Sequence, residues 1–489
     1  MTETKRSEYD VIVVGGGPGG STAAALTALD GHRVLLLDKQ RHPRYQIGES
    51  LLPSTIHGIC PLIGADAAIA NAGFPRKRGG TFRWGTNPEP WTFAFAASPR
   101  MAGPSSFAYQ VERAKFDEIL LRNAERVGVE VREGCPAMGV VRDGTRVAGV
   151  RYRTPDNEER IARSSFVIDA SGGSSRIHRE VPGERWYSTF FRNLALFGYF
   201  TGGRRLEEPN SGNILCAAFD NGWFWYIPLS DELTSVGAVV HREQADAIQH
   251  DPEAAFGSFI EQCPLIAEYL SDAKRATYEP YDVLRVRKDY SYSRETLWTP
   301  GLALVGDAAC FIDPVFSSGV HLATYSALLA ARSINTVLAG ELPEDRCFGE
   351  FAARYHREFD LFHDFLTAFY QTHTDEESYF WHARKITRHE GSAAEAFVDL
   401  VGGVSSGDLA ASEASRAEAT ARSITDSLTH LDGSGDVYDI HDAPLVSELM
   451  TESAQMQARA LLGEDSGGET PLFEGGLVPS ADGRRWQAA

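Results

Sequence analysis

From Asp10 to Val14 the chain is a short β-branched run, and it breaks at once into glycine at Gly15, Gly16, Gly17, Gly19 and Gly20. Ser21 to Leu29 then reads as an alanine-rich helix, and Arg33 to Leu37 as a second strand ending at Asp38, so the pattern predicts an opening β-α-β unit. Gly79 to Pro104 is rich in glycine, proline and aromatics. Helical periodicity returns at Arg113 to Arg126, with Phe116, Ile119, Leu120 and Ala124 on one face, and short alternating strands run from Val129 to Val167. Trp186 to Tyr281 reads mostly as strands with a helical interlude around Ala254 to Tyr269, the pattern of a sheet inserted into the first unit. Leu302 to Val305 is another buried-strand run, leading through Gly306 and Asp307 to a helix over Val320 to Ala331. The following helix carries Phe351, Tyr355, Phe359, Phe362, Leu366 and Phe369 at three- or four-residue spacing, and core packing is a sufficient reason for that stripe. After Gly391 the composition shifts to Ala, Ser, Gly and Glu, which marks an extension.

A chain of 489 residues exceeds one compact core and implies two or three domains. Its formal charge of -20 argues against nucleic acid or an anionic membrane as a partner, because like charges repel over a Debye length. From Gly391 to Ala489 there are 17 acidic and 5 basic residues, so more than half of that excess sits in the last fifth. Cys60, Cys135, Cys216, Cys263, Cys310 and Cys347 lie far apart, without the spacing of zinc or redox motifs. Buried reduced thiols in a cytoplasmic protein, and no metal, are expected. Met1 to Asp10 is polar and reads as neither a signal peptide nor a membrane span.

Gly15-x-Gly17-x-x-Gly20 sits where a strand turns into a helix, so a pyrophosphate could lie against backbone N–H groups and the positive end of the helix dipole. Asp38, 18 residues beyond Gly20 and at the end of the next strand, is placed to accept hydrogen bonds from ribose hydroxyls. Dinucleotide binding follows. No second motif of this kind follows a strand, so a dedicated nicotinamide domain is absent from the sequence pattern, which permits a separate reductase.

Three further phrases resemble the FAD domain of the para-hydroxybenzoate-hydroxylase-like superfamily: Arg113 in Val111 to Asp117, Asp169-Ala170-Ser171-Gly172, and Gly306-Asp307-Ala308-Ala309. Trp223-Phe224-Trp225-Tyr226-Ile227-Pro228 matches the Trp-x-Trp-x-Ile-Pro signature of flavin-dependent halogenases. Alternating residues of a strand share a face, so the two indoles could form one wall, although two core tryptophans in a sheet would read the same way by chemistry alone. Ile47 to Pro53, preceded by Pro43-Arg44, and Asp313 to His321 match further motifs of that family in the right order. Lys77, in Gly73 to Gly85, falls in a segment that resembles the one carrying its essential lysine. The resemblance spans about Asp10 to Arg384.

That resemblance implies an α/β fold, α+β in part, in which a Rossmann-like FAD domain of residues 1–80, 105–185 and 282–375 carries an inserted, mostly antiparallel substrate sheet of residues 81–104 and 186–281. Residues 376–489 are expected to cover the substrate entrance. FAD would be held by Gly15, Gly17, Pro18, Gly20, Ser21, Asp38, Lys39, Arg44, Ser50, Arg113, Ala170, Asp307, Pro314, Gly319 and Val320. Chloride would lie at the backbone N–H groups of Ser318 and Gly319, and its reaction with the flavin hydroperoxide would give hypochlorous acid. Trp223 and Trp225 would keep the substrate from the flavin, while Lys77 would either hydrogen-bond the acid or form a chloramine. Arg76 and Arg78 flank Lys77 and would lower its pKa if they lie near it in space. Glu49 is a base or positioning group near the flavin, or else only orders a loop. Asp289 is a weaker candidate for a link to the ring methyl. Tryptophan halogenases carry a glutamate where this chain has Phe316, which points to a phenolic, pyrrolic or carrier-protein-tethered substrate. The implied partners are a small aromatic substrate, free or on a carrier protein, and an NAD(P)H-dependent flavin reductase that supplies reduced FAD. A flavin hydroxylase of the same superfamily, a saturating prenyl reductase and a non-catalytic FAD protein remain as competing readings.

Overall fold

The computed structural model describes residues 8–84, 89–98, 101–288, 291–371, 393–404, 471–473 and 475–489. Continuous apolar runs make strands that are buried on both faces, and crossover helices cover them. Tyr9–Val14 accordingly lies parallel between Val34–Leu37 and Glu159–Asp169, with the helix Pro18–Leu29 as the first crossover. Leu302–Leu304 extends the parallel order beyond Glu159–Asp169, and Glu130–Arg132 extends it beyond Val34–Leu37.

The inserted sheet runs in the order Lys274–Arg275, Asn193–Thr201, Leu233–His241, Gly222–Pro228, Ile214–Phe219, Gly79–Arg83, Trp91–Ala94. Only the pairing of Ile214–Phe219 with Gly79–Arg83 is parallel along this path. The glycine- and aromatic-rich stretch after residue 78 thus supplies two strands, not only loops. Strand alternation divides the sheet between two cores. Phe197, Tyr199, Trp223, Trp225, Ile227 and Val239 enter the main core, whereas Leu196, Phe224, Tyr226, Val236 and Ala238 face a second core shared with Phe256, Phe259 and Ile266 of the helical interlude.

Two long helices seal the other side. Ser318–Leu338 follows the strand Leu302–Leu304, and Glu344–Gln371 buries Phe348, Phe351, Tyr355, Phe359, Phe362, Phe365, Leu366 and Phe369 along one stripe. Each such side chain contributes about 1.5–3 kcal/mol when removed from water. All six cysteines are buried and free.

The C-terminal extension divides into parts with different neighbours. Phe397 of the helix Ala393–Val401 packs on Trp91, Phe93, Phe316 and Phe365, beside the inserted sheet. Residues 475–489 lie elsewhere, against the helices Pro18–Leu29, Ser318–Leu338 and Glu344–Gln371. Trp486 is 1% exposed and lies between the guanidinium groups of Arg332 and Arg354. Its indole N–H donates to Ser333 Oγ at 2.9 Å. Arg332 Nε donates to the Gly483 carbonyl at 2.5 Å, and Arg484 reaches the Leu29 carbonyl at 3.0 Å. A large apolar ring with one donor finds in those helices both the cover and the acceptor that it needs.

Candidate active site

The glycine turn is shaped by close backbone approach. Gly15 has φ +106°, and a Cβ at Gly20 would fall 1.8 Å from the Gly15 carbonyl oxygen. Pro18 occupies the first turn of the helix, Ser21 Oγ donates to the Gly16 carbonyl at 3.1 Å, and Ala170 N–H donates to the Val14 carbonyl at 2.9 Å. Asp38 accepts from the backbone N–H of Gly16 at 2.6 Å and of Gln40 at 2.7 Å, which fixes the carboxylate over the turn. Lys39 reaches Ser174 Oγ at 3.3 Å. Asp307 stands beyond the end of Leu302–Leu304, and burial pushes its carboxyl above the usual range against the opposing charges of Arg287, Arg113 and Arg185.

Arg44 and Arg113 converge on Asp117. Arg113 donates to both of its carboxylate oxygens at 2.7 and 3.0 Å through Nε and Nη2, and through Nη1 to the Ile47 carbonyl at 2.6 Å, so one arm of its guanidinium braces the loop that carries Glu49 and Ser50. These residues suit a dinucleotide. Backbone N–H groups at a helix N-terminus, carboxylates beyond two strand ends and the buried hydroxyls of Ser50 and Ser318, which have no partner among the described residues, give it the donors and acceptors required.

Asp313 accepts from Val315 N at 3.1 Å and caps the short turn Pro314–Phe316. Ser317 then adopts φ +62°, and the helix begins at Ser318, bringing Pro314, Ser318, Gly319 and Val320 together at its N-terminal end. Lys77 comes to the same place from another element. It is 3% exposed, and its Nζ donates to the Leu51 carbonyl at 3.1 Å and to Ser317 Oγ at 3.4 Å, with the Phe95 ring centroid 5.6 Å away. Burial lowers its pKa from 10.5 to about 7, with Cys216 opposing the shift. Arg76 and Arg78 are not the cause, a correction to the reading from sequence. Lys77 sits in the two-residue strand Arg76–Lys77, where neighbours alternate faces, and the Arg76 guanidinium lies over the Phe107 ring instead.

Trp223 and Trp225 do share a face, with ring centroids 6.2 Å apart. Both are buried in the main core. A Cβ at Gly237 on the adjacent strand would lie 2.2 Å from the Trp225 ring, so only glycine leaves room for that indole. Trp223 Nε1 donates to Tyr370 Oη at 2.5 Å, and Tyr370 in turn interacts with Asp313, whose carboxyl is pushed up to about 6 by burial. Trp225 Nε1 donates to Ser235 Oγ at 3.2 Å.

Glu49 is 2% exposed and accepts from Tyr199 Oη at 2.7 Å through Oε1, while Oε2 has no hydrogen-bond partner among the described residues. Burial pushes it up to about 7, opposed by the hydroxyls of Ser235 and Tyr199 and by the charge of Arg113. Sequence reasoning gave no role to Tyr199, Ser235, Tyr370, Ser317 or Cys216. For the strand residues the only available signal was the alternation that puts Tyr199, Cys216 and Ser235 on the inward side. Asp289 lies outside the described residues.

The family described as tryptophan halogenase matches residues 10–103 and 98–423. A tryptophan 2-halogenase of Chondromyces crocatus is 37% identical over 387 residues, 78% of this chain and 72% of the relative. The flavin-dependent halogenase gsfI of Penicillium aethiopicum is 33% identical, over 72% of this chain and 69% of the relative. Among solved structures, the myxobacterial chondrochloren halogenase CndH, described as a variant of FAD-dependent halogenases, is 49% identical with TM-score 0.76, covering 99% of this chain and all of that one.

Proposed function

This chain belongs to the flavin-dependent halogenases, and from that premise we propose that it chlorinates an electron-rich aromatic substrate through Lys77. Enzymes of this family use FAD and generally depend on a separate flavin reductase. Bound FAD, delivered reduced, supplies the two electrons with which oxygen and chloride become hypochlorous acid. The residues that would hold it are those of the glycine turn, Gly15 to Ser21, together with Asp38, Lys39, Arg44, Ser50, Arg113, Ala170, Asp307, Pro314, Gly319 and Val320.

The N–H groups of Ser318 and Gly319, at the positive end of a 21-residue helix, would hold chloride. Trp223 and Trp225 would keep the aromatic substrate from the cofactor while a small oxidant passes. The observation that carries the proposal is the position of Lys77, buried at the head of that helix and brought to about 7 in pKa by desolvation. Part of the population at neutral pH is then free amine, which supports the chloramine route. The amine nitrogen bonds to chlorine as the O–Cl bond breaks, and water leaves with the amine proton. Attack of a ring carbon on that chlorine regenerates the amine as the ring proton is lost.

Phe316 lies against Phe82, Phe365 and Phe369, an aromatic setting that favours a phenol or pyrrole whose own heteroatom activates the ring. The Chondromyces relative is named for tryptophan, so an indole is the second class. The test is mass spectrometry of free and carrier-bound phenols, pyrroles and tryptophan incubated with the enzyme, a reductase, and chloride or bromide. Monochlorination of a phenol or pyrrole supports the reading. Chlorination of tryptophan alone would replace it, and halide-independent oxygenation would overturn it.

A further inference from the structure

Making hypochlorous acid consumes a proton. One reduced FAD (FADH2), one oxygen molecule, one chloride and one proton yield FAD, one hypochlorous acid and one water. Chlorinating an aryl carbon then yields aryl chloride and a second water, so each turnover draws one proton from solvent. The tryptophan wall and its neighbours are buried, and a proton crossing such a region needs a continuous set of polar groups.

One such set runs from the core toward the surface. Glu49 Oε2 is buried without a hydrogen-bond partner among the described residues, Oε1 accepts from Tyr199 Oη at 2.7 Å, and Tyr199 Oη lies 2.7 Å from Tyr45 Oη. Tyr199 is fully buried, whereas Tyr45 is only partly so and has the Arg285 guanidinium 3.9 Å from its ring centroid. Other groups facing Glu49 are Ser235 on Leu233–His241, and Arg113 and Glu112 at the head of Arg113–Arg126; Tyr281 donates to Glu112 at 2.7 Å. Glu112 is thereby held by its own donor and leaves Glu49 as the carboxyl to which the two tyrosines lead.

We propose that Tyr45, Tyr199 and Glu49 form the proton inlet of this halogenase, with Glu49 releasing the proton inward from Oε2. The inlet rests on the halogenase reading for its demand and on these contacts for its path. When Oε2 gives up its proton, Tyr199 passes its own to Oε1, Tyr45 passes its proton to Tyr199, and water reprotonates Tyr45. No bond other than O–H is made or broken. A carboxyl near 7 suits the task, because it both holds and yields a proton at neutral pH. Tyr45 and Tyr199 act through Glu49 and are therefore positioning residues.

The test has two arms, both on the full chain. In the first, infrared titration of the FAD-loaded enzyme without reductant follows the protonated-carboxyl band that Glu49→Gln removes. The expected midpoint is near 7, and it should move in Tyr199→Phe. In the second, an indicator dye follows proton uptake when chemically reduced FAD meets oxygen and chloride. Tyr45→Phe and Tyr199→Phe should slow uptake by about tenfold above pH 7, less at lower pH, and a small weak acid should restore it, with FAD affinity unchanged. Wild-type uptake rates in both variants, or a Glu49 that stays ionised to pH 5, would overturn the inlet. Absence of hypochlorous acid from the wild type would instead count against the halogenase reading, and the infrared arm would still decide whether the path holds a proton.

Discussion

Lys77 and Glu49 are buried to the same degree, 3% and 2% exposed, and desolvation carries both to about 7, one from above and one from below. Their surroundings differ. Lys77 has a carbonyl, one hydroxyl and an aromatic ring about it and, among the described residues, no ion pair. Glu49 sits at the inner end of a hydroxyl series, with Arg113 and Glu112 also close. Solitary burial suits a group that must be neutral to take up an electrophile, whereas a networked one suits a group that exchanges protons. Equal pKa values thus arise from unequal sites, and the chemistry follows the partners rather than the number.

The largest effect should come from removing the solitary partner. Lys77→Ala is expected to lower chlorinated product by about a thousandfold, while FAD binding and oxygen consumption with reduced flavin persist and hypochlorous acid escapes to a thiol trap. Lys77→Arg should not restore product, since a guanidinium keeps its proton. Near-normal product from Lys77→Ala would erase the distinction between the two sites.

A smaller effect should separate them structurally. Gly237→Ala places a methyl within 2.2 Å of the Trp225 ring as it stands, so the indole must move and weaken its bond to Ser235, which faces Glu49. The expected loss is about 1–3 kcal/mol of stability in urea unfolding. The lysine midpoint, read from labelled side-chain amines by NMR, should hold. Movement of that midpoint would show that the two pockets are coupled.

The remaining effect is a pair of opposed slopes. The unfolded chain binds more protons than the folded one at Lys77 between about pH 7 and 10.5, so this residue makes stability rise with pH across that window. At Glu49 the folded chain binds more between 4.5 and about 7, so stability falls with pH there. Lys77→Met should flatten the upper slope and Glu49→Gln the lower one, as read from urea midpoints over a pH series. A single substitution flattening both would contradict separate titration.

Local pattern made the glycine turn, the parallel strands, the aromatic helix and the paired indoles legible. It could not reveal what lies against what at long range. The Lys77 to Ser317 contact spans 240 residues, and Tyr370 meets Trp223 across 147. The flanking arginines misled because proximity in sequence within a strand means opposite faces, so the desolvation that acts on Lys77 came from residues far away in the chain. The acidic composition after Gly391 likewise hid Trp486, since a mean over a hundred residues conceals one ring that needs cover.

That ring has a kinetic consequence. The Arg484 to Leu29 and Arg485 to Asp30 contacts join positions 455 residues apart, about the greatest loop-closure distance that the described chain offers. Contacts of such separation belong after the rate-limiting barrier to folding rather than before it. Trp486→Ala should therefore leave the refolding rate of the nucleotide domain almost unchanged and speed its unfolding, so that the tail governs how long the native state lasts once formed.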